Sequence, residues 1–268
     1  VRTPTIVLLA ASFCVPLARI SLAEATESRT LIWSDEFEGP AGELPDPDRW
    51  VFDIGTDWGN AQLEFDTDRP ENVSLDGEGH LAITARKESY DGQPYTSGRI
   101  KTKDRFERTY GRFEARIKLP VGQGMWPAFW MLGADIDEAG WPACGEIDIM
   151  EYRGHEPRVL HGTIHGPGYK GDDSIGNRHL LERGGFHEEF HVFAVEWTEN
   201  KIVWSVDGEV YHSVTPEDLP VGTEWVYDRP YFILLNLAVG GRWVGAPDEE
   251  TEFPQSMLVD WVRVYEIE

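Results

Sequence analysis

Phe113, Ala115, Ile117 and Leu119 alternate with Arg112, Glu114, Arg116 and Lys118, so every second side chain is apolar. That period-2 spacing predicts a strand with one face in a core and one in water. Leu81-Ala82-Ile83-Thr84-Ala85 repeats the style, and Phe190 to Trp197, Ile202 to Val206, Glu209 to Val214, Tyr231 to Val239 and Met257 to Tyr265 extend it. Asp207-Gly208 sits between two of these runs, a strong two-residue hairpin signal. No stretch keeps a 3.6-residue period for three turns, so helices are expected to be scarce. No linker, long charge run or repeat divides residues 30–268, which predicts one domain over 31–268. Strands punctuated by Gly, Pro, Asn and Asp indicate an all-β antiparallel sandwich or barrel. A two-sheet jelly roll is preferred, because a curved sandwich offers a concave face long enough for a polymer.

The amino terminus follows another pattern. Arg2 precedes a mostly apolar run from Ile6 to Ile20, and Ser21-Leu22-Ala23 and Ala23-Glu24-Ala25 offer small residues for cleavage. A secretory signal peptide over residues 1–23 is expected, and with it a secreted protein, extracellular or periplasmic, with no membrane attachment after cleavage. Bulky Phe13 argues against a lipid anchor at Cys14. Cys144 would then stand alone, unable to form an internal disulfide, and reads as a small buried hydrophobe rather than a nucleophile.

Charge narrows the partners. The 48 acidic residues against 24 basic ones give a net charge of −24. Such a field repels nucleic acid and anionic membranes and argues against a polyanionic substrate, leaving a neutral polymer allowed. The 11 Trp, 9 Tyr and 12 Phe supply flat faces suited to stacking on sugar rings. Nothing in the sequence suggests more than a monomer.

Candidate chemistry concentrates in Glu146-Ile147-Asp148-Ile149-Met150-Glu151. In a regular strand Glu146 and Asp148 share a face and Glu151 points away. A one-residue bulge near Ile149-Met150 would return Glu151 to the face of Glu146. Crowded carboxyls raise one another's pKa, leaving one protonated while another is ionised. Glycosidic hydrolysis needs that division, with one carboxylate at the anomeric carbon and one acid at the departing oxygen. An acidic solvent face or a calcium loop are the competing readings. The first does not explain Ile147 and Ile149 between the acids, and the second would need more Asp, Asn and Gly. Trp126 and Trp130 have equal parity and could share a face. His161 and His165 are separated as a zinc pair on a helix would be, but Gly162, Thr163 and Ile164 favour a strand, which spreads them too far for one metal. Asn236 lies inside an apolar run and needs a hydrogen-bond partner, in the core or on a ligand.

The acidic run resembles the active-site signature of glycoside hydrolase family sixteen, in the bulged form typical of its laminarinase-like, endo-β-1,3-glucanase branch. The similarity continues through Trp33-Ser34-Asp35-Glu36-Phe37, through Gly122-Gln123-Gly124-Met125-Trp126-Pro127-Ala128-Phe129-Trp130, and through Val259-Asp260-Trp261-Val262-Arg263-Val264-Tyr265. The resemblance implies a β-jelly roll, a retaining mechanism, Glu146 as nucleophile, Glu151 as acid/base and Asp148 as its electrostatic partner. It also implies Trp126 and Trp130 as sugar platforms, Trp58 and Asn60 in a substrate loop, and Arg99, His165 and Trp243 as further substrate contacts. Asn236 is placed with this substrate-binding set, and a surface ion pair is the alternative role for Arg99. No cofactor is implied for catalysis. A structural calcium ion is implied at Glu36, the Gly79 carbonyl and Asp260.

The resulting expectation is an endo-acting, retaining hydrolase of internal β-1,3 linkages in a neutral β-glucan. Mixed-linkage β-1,3-1,4-glucanase and glucan transglycosylase are the alternatives within the enzyme class. A non-catalytic glucan-binding protein is the alternative outside it.

Overall fold

The computed structural model describes residues 29–267, and the leader expected over residues 1–23 lies outside the described residues. In chain order the strands are β1 (Thr30–Asp35), β2 (Val51–Phe52), β3 (Glu64–Asp66), β4 (Val73–Leu75), β5 (Leu81–Ala85) and β6 (Tyr95–Ser97). Next come β7 (Arg99–Lys101), β8 (Gly111–Lys118), β9 (Met125–Gly133), β10 (Glu146–Tyr152), β11 (Val159–His165) and β12 (Ile175–Leu180). The series ends with β13 (His191–Thr198), β14 (Lys201–Val206), β15 (Glu209–Val214), β16 (Tyr231–Val239) and β17 (Gln255–Glu266). A single turn of α-helix, α1 (Ile136–Ala139), stands between β9 and β10.

Two antiparallel sheets carry the fold. One runs β15-β14-β13-β8-β17-β5-β4, with β1 also paired to β17; the other runs β12-β11-β10-β9-β16-β7-β2. A short parallel pair, β3 with β6, stands apart from both. The alternation in β8 sends Phe113, Ala115 and Ile117 into the core between the sheets, where each is fully buried. Across the ladders Phe113 faces Val195 and Val264, and Ala115 faces Phe193 and Val262, so apolar pairs continue over three strands. Asp207 and Gly208 join β14 to β15 with φ of 51° and 83°, the two positive values that a type I′ hairpin turn demands.

The second sheet carries the functional face. Its interior strand β16 is buried along all nine residues, which explains an apolar run without alternation. One side joins the main core. On the other, Phe232 and Leu234 pack with Leu132 and Cys144 in a small cluster flanked by Trp130 and Ile136. Cys144 is therefore a buried apolar filler, and burial pushes its thiol up to about 11, away from thiolate chemistry.

Trp204 of β14 reaches across the core and donates its indole N–H to the backbone carbonyl of Asp148, at 2.8 Å. Gly162 of β11 leaves room for that crossing, since a β-carbon there would collide with the Trp204 ring and the Tyr211 hydroxyl. One sheet thus pins the strand that bears the acids of the other.

Two of the residues implied for a calcium shell carry arginine partners. Glu36 accepts two bonds from the Arg263 guanidinium, at 3.1 and 2.8 Å, and Asp260 accepts one from Arg116 at 2.5 Å. Both carboxylates are thus engaged by arginine side chains. The sequence positions carried no sign of these arginine partners.

Candidate active site

The acids occupy β10, and a bulge sets their parity. Glu146 lies opposite Leu132 and His165, and Asp148 opposite Trp130 and Thr163. The register then slips, so that Met150 faces Phe129 and Glu151 faces Ala128 and His161. Ile149 is the extra residue on the β9 side. Ile147, Ile149 and Met150 are buried in the core, while Glu146, Asp148 and Glu151 line one cleft of about 1240 Å³. Gly145 precedes the run at φ 76°, with the Tyr231 hydroxyl where a β-carbon would sit. A side chain there would strain the turn that delivers Glu146.

Burial and crowding raise all three carboxyls. Glu146 is pushed to about 8 by loss of solvent and then by the Asp148 charge, against the opposing pull of His165. Burial raises Glu151 to about 7; His165 pulls it down and Glu146 pushes it up. Asp148 lies well above the ordinary carboxylate range, through burial and the Glu151 charge. The three bind protons as a unit, and near neutrality at least one remains protonated.

Neighbouring side chains fix the acids in place. The Trp126 indole N–H donates to Glu151 Oε1 at 3.0 Å, and the Trp141 N–H donates to Glu146 Oε2 at 2.6 Å. His165 Nε2 approaches Asp148 Oδ2 at 3.2 Å but off the line of a hydrogen bond, so Oδ2 stays buried without a donor. His165 Nδ1 accepts from the Gly171 amide, which leaves the ring proton on Nε2, facing Asp148.

Trp58, Asn60, Arg99, Trp126, Trp130, His165, Asn236 and Trp243 all line the same cleft. Arg99 lines the cleft and also forms an ion pair, one that is largely buried rather than on the surface. Its guanidinium lies 4.7 Å from the Trp58 ring and 4.9 Å from Trp130, and its Nε donates to Asp53 at 3.0 Å. Asn236 finds its partner in the Trp130 indole N–H, at 2.7 Å. His161 meets the edge of Trp243 with centroids 5.0 Å apart, and burial lowers its pKa to about 4, so the ring is neutral.

Two features escaped the strand pattern. Trp141 sits on the loop after α1, where no periodicity reports what a side chain reaches. Glu64 and Asp66 lie on three-residue β3, almost fully buried, and hold the cleft wall from behind. Asp66 Oδ2 accepts the Trp58 indole N–H at 2.8 Å, and Glu64 Oε2 accepts the Val239 amide at 2.8 Å. Burial raises Glu64 to about 8, with the Asp66 charge adding to it, and burial raises Asp66 to about 7.

Because both folded-state values are raised, the folded chain holds these protons more tightly than the unfolded one. Stability is then greatest near the ordinary carboxylate range and declines as pH rises toward about 8. Tm should fall between pH 5 and pH 8, and a Glu64→Gln/Asp66→Asn double variant should flatten that fall, as thermal melts would record. An unchanged slope would contradict the assignment.

The family model described as glycosyl hydrolases family 16 matches residues 59–263, most of the chain and all three acids. The chain belongs to this family. A β-glucanase of Rhodothermus marinus is 44% identical over 252 residues, covering 88% of this chain and 84% of that protein. Among solved structures, the catalytic domain of an endo-1,3-β-glucanase (laminarinase) from Thermotoga petrophila superposes with a TM-score of 0.84 at 48% identity. It covers 90% of this chain and 98% of its own. An endo-β-1,3-glucanase from Pyrococcus furiosus gives a TM-score of 0.84 at 49% identity, covering 89% and 94%. The family match extends over the bulged strand, both walls of the cleft and the buried Glu64–Asp66 pair, with Trp58 and Asp53 just before its start.

Proposed function

We propose that the protein is an endo-acting, retaining β-1,3-glucanase. The observation that carries this reading is the bulge in β10, which sets Glu151 beside Glu146 in an open, tryptophan-walled cleft. The 44–49% identity to β-glucanases and endo-1,3-β-glucanases over nearly nine-tenths of the chain supports the substrate class. Export belongs to the same proposal: the leader-like residues 1–23 would send the enzyme to a polymer too large to enter a cell.

Chemistry follows from the placement of the acids. A glucan chain lies across the sheet, with sugar faces on Trp126, Trp130 and Trp243. Glu146, ionised and held by Trp141, attacks the anomeric carbon while Glu151 gives its proton to the departing oxygen. Asp148 is close enough to share a proton with Glu146, and taking up that proton leaves Glu146 charged for attack. Glu151, now a carboxylate, then removes a proton from water, which cleaves the glycosyl ester and regenerates Glu146. Two displacements at one carbon restore its β configuration.

A product profile on laminarin, lichenan, agarose and xyloglucan tests the substrate, with proton NMR of the first anomer released. Internal cleavage of laminarin with the β-anomer appearing first is expected. Preference for another glucan, or an α-anomer, would overturn the reading.

A further inference from the structure

The cleft carries positive charge that a neutral glucan does not require. Arg178 of β12 and Arg242, on the turn after β16, both line it and both are exposed. Neither guanidinium meets a carboxylate within 4.0 Å among the described residues, although acids outnumber bases two to one in this chain. Arg153 lies beside the cleft residue Trp243, its guanidinium 5.1 Å from that ring and its charge answered by Glu156.

Their placement is built into the fold. Arg178 lies directly opposite His161 across the β11–β12 ladder. Arg242 is anchored by its amide, which donates to the Asn60 carbonyl at 3.0 Å. His161 Nε2 is buried without a hydrogen-bond partner. Sugar hydroxyls need only neutral partners, and Asn60, Gln62 and Asn177 already supply these along the cleft. Planar, permanently charged guanidinium groups match the paired oxygens of an oxyanion instead.

We propose that these cleft-lining arginines, free of carboxylate partners, form a subsite for an oxyanion substituent, a carboxylate or a sulfate ester, on the β-glucan. The inference rests on the glucanase reading and extends it from neutral chains to chains with sparse acidic groups. It also separates the local field from the global one. The net charge of −24 opposes approach of a polyanion, but at physiological salt it is screened beyond about 8 Å, whereas contacts in the cleft are closer than that. A lightly substituted chain is therefore the fitting ligand, and a densely charged one is not.

The test compares the wild-type enzyme with Arg178→Gln and Arg242→Gln. Substrates are plain laminarin, laminarin lightly carboxylated at its primary hydroxyls, and laminarin lightly sulfated, each at low and at moderate salt. Plain laminarin checks the underlying reading by itself. On at least one anionic substrate each variant should lose about tenfold in kcat/KM, the scale of one charge-assisted hydrogen bond. On plain laminarin the change should stay within about twofold, and added salt should erase the difference between enzymes. Whether the carboxylated or the sulfated chain responds identifies the oxyanion. Equal losses on plain and anionic substrates would mean that the arginines serve hydroxyls and would overturn the proposal. Failure of the wild-type enzyme to cut either anionic substrate, with plain laminarin cleaved, would overturn it too. So would variants that match the wild type on both anionic substrates.

Discussion

Glu146→Gln is expected to lower kcat/KM on laminarin by on the order of 10³-fold or more, the scale on which single catalytic groups act. Glutamine fills the same space and can still accept the Trp141 N–H, so circular dichroism and Tm should stay near the wild type or improve. Improvement is physically reasonable, because Glu146 is an acid whose burial and neighbours penalise its charge. The amide oxygen is a poor nucleophile and cannot form the glycosyl ester. A variant that hydrolyses laminarin at near wild-type rate would remove Glu146 from the reaction.

Glu151→Gln is expected to produce an equally visible but chemically different loss, of about 10²- to 10⁴-fold on laminarin. Departure of a sugar alkoxide needs a proton, and glutamine has none to give. An aryl laminaribioside with an acidic phenol needs no such help, so its first step should survive and a glycosyl-enzyme should accumulate. Azide, which attacks without a general base, should then restore turnover and yield a β-glycosyl azide. In the wild type the same proton sets the alkaline limb of the pH profile. With Glu151 raised to about 7, kcat/KM should decline as pH rises through about 7, well above an ordinary carboxylic acid. Equal losses on both substrates, or no azide rescue, would place the acid elsewhere.

Which parts of this site a sequence discloses depends on how local the physics is. Alternation in Phe113 to Leu119 reports a half-buried strand directly, because a one-residue step changes faces. The same parity rule exposed the bulge: Glu151 is out of phase with Glu146 unless one residue is added, and β10 adds it at Ile149. Arg99 offered an ion pair or a cleft contact as rival roles, and the structure gives it both through Asp53, Trp58 and Trp130.

Interactions between distant segments were beyond that reach. Glu36 and Asp260 look like free acids in the sequence, and only the sheet registers bring Arg263 and Arg116 onto them. The Asp66–Trp58 bond and the Trp141–Glu146 bond arise where a three-residue strand and a loop approach the sheet. Nothing periodic marks either. Arg178 and Arg242 lie 64 positions apart and line the same cleft only because β12 and the turn after β16 both border it.

The most direct measurement is to trap the intermediate. A 2-deoxy-2-fluoro laminaribiosyl fluoride should inactivate the enzyme and add one disaccharide, and peptide mass spectrometry should place it on the Glu146 carboxylate. A label on Glu151 or elsewhere, or brisk turnover of laminarin by an enzyme that never takes the label, would contradict the account.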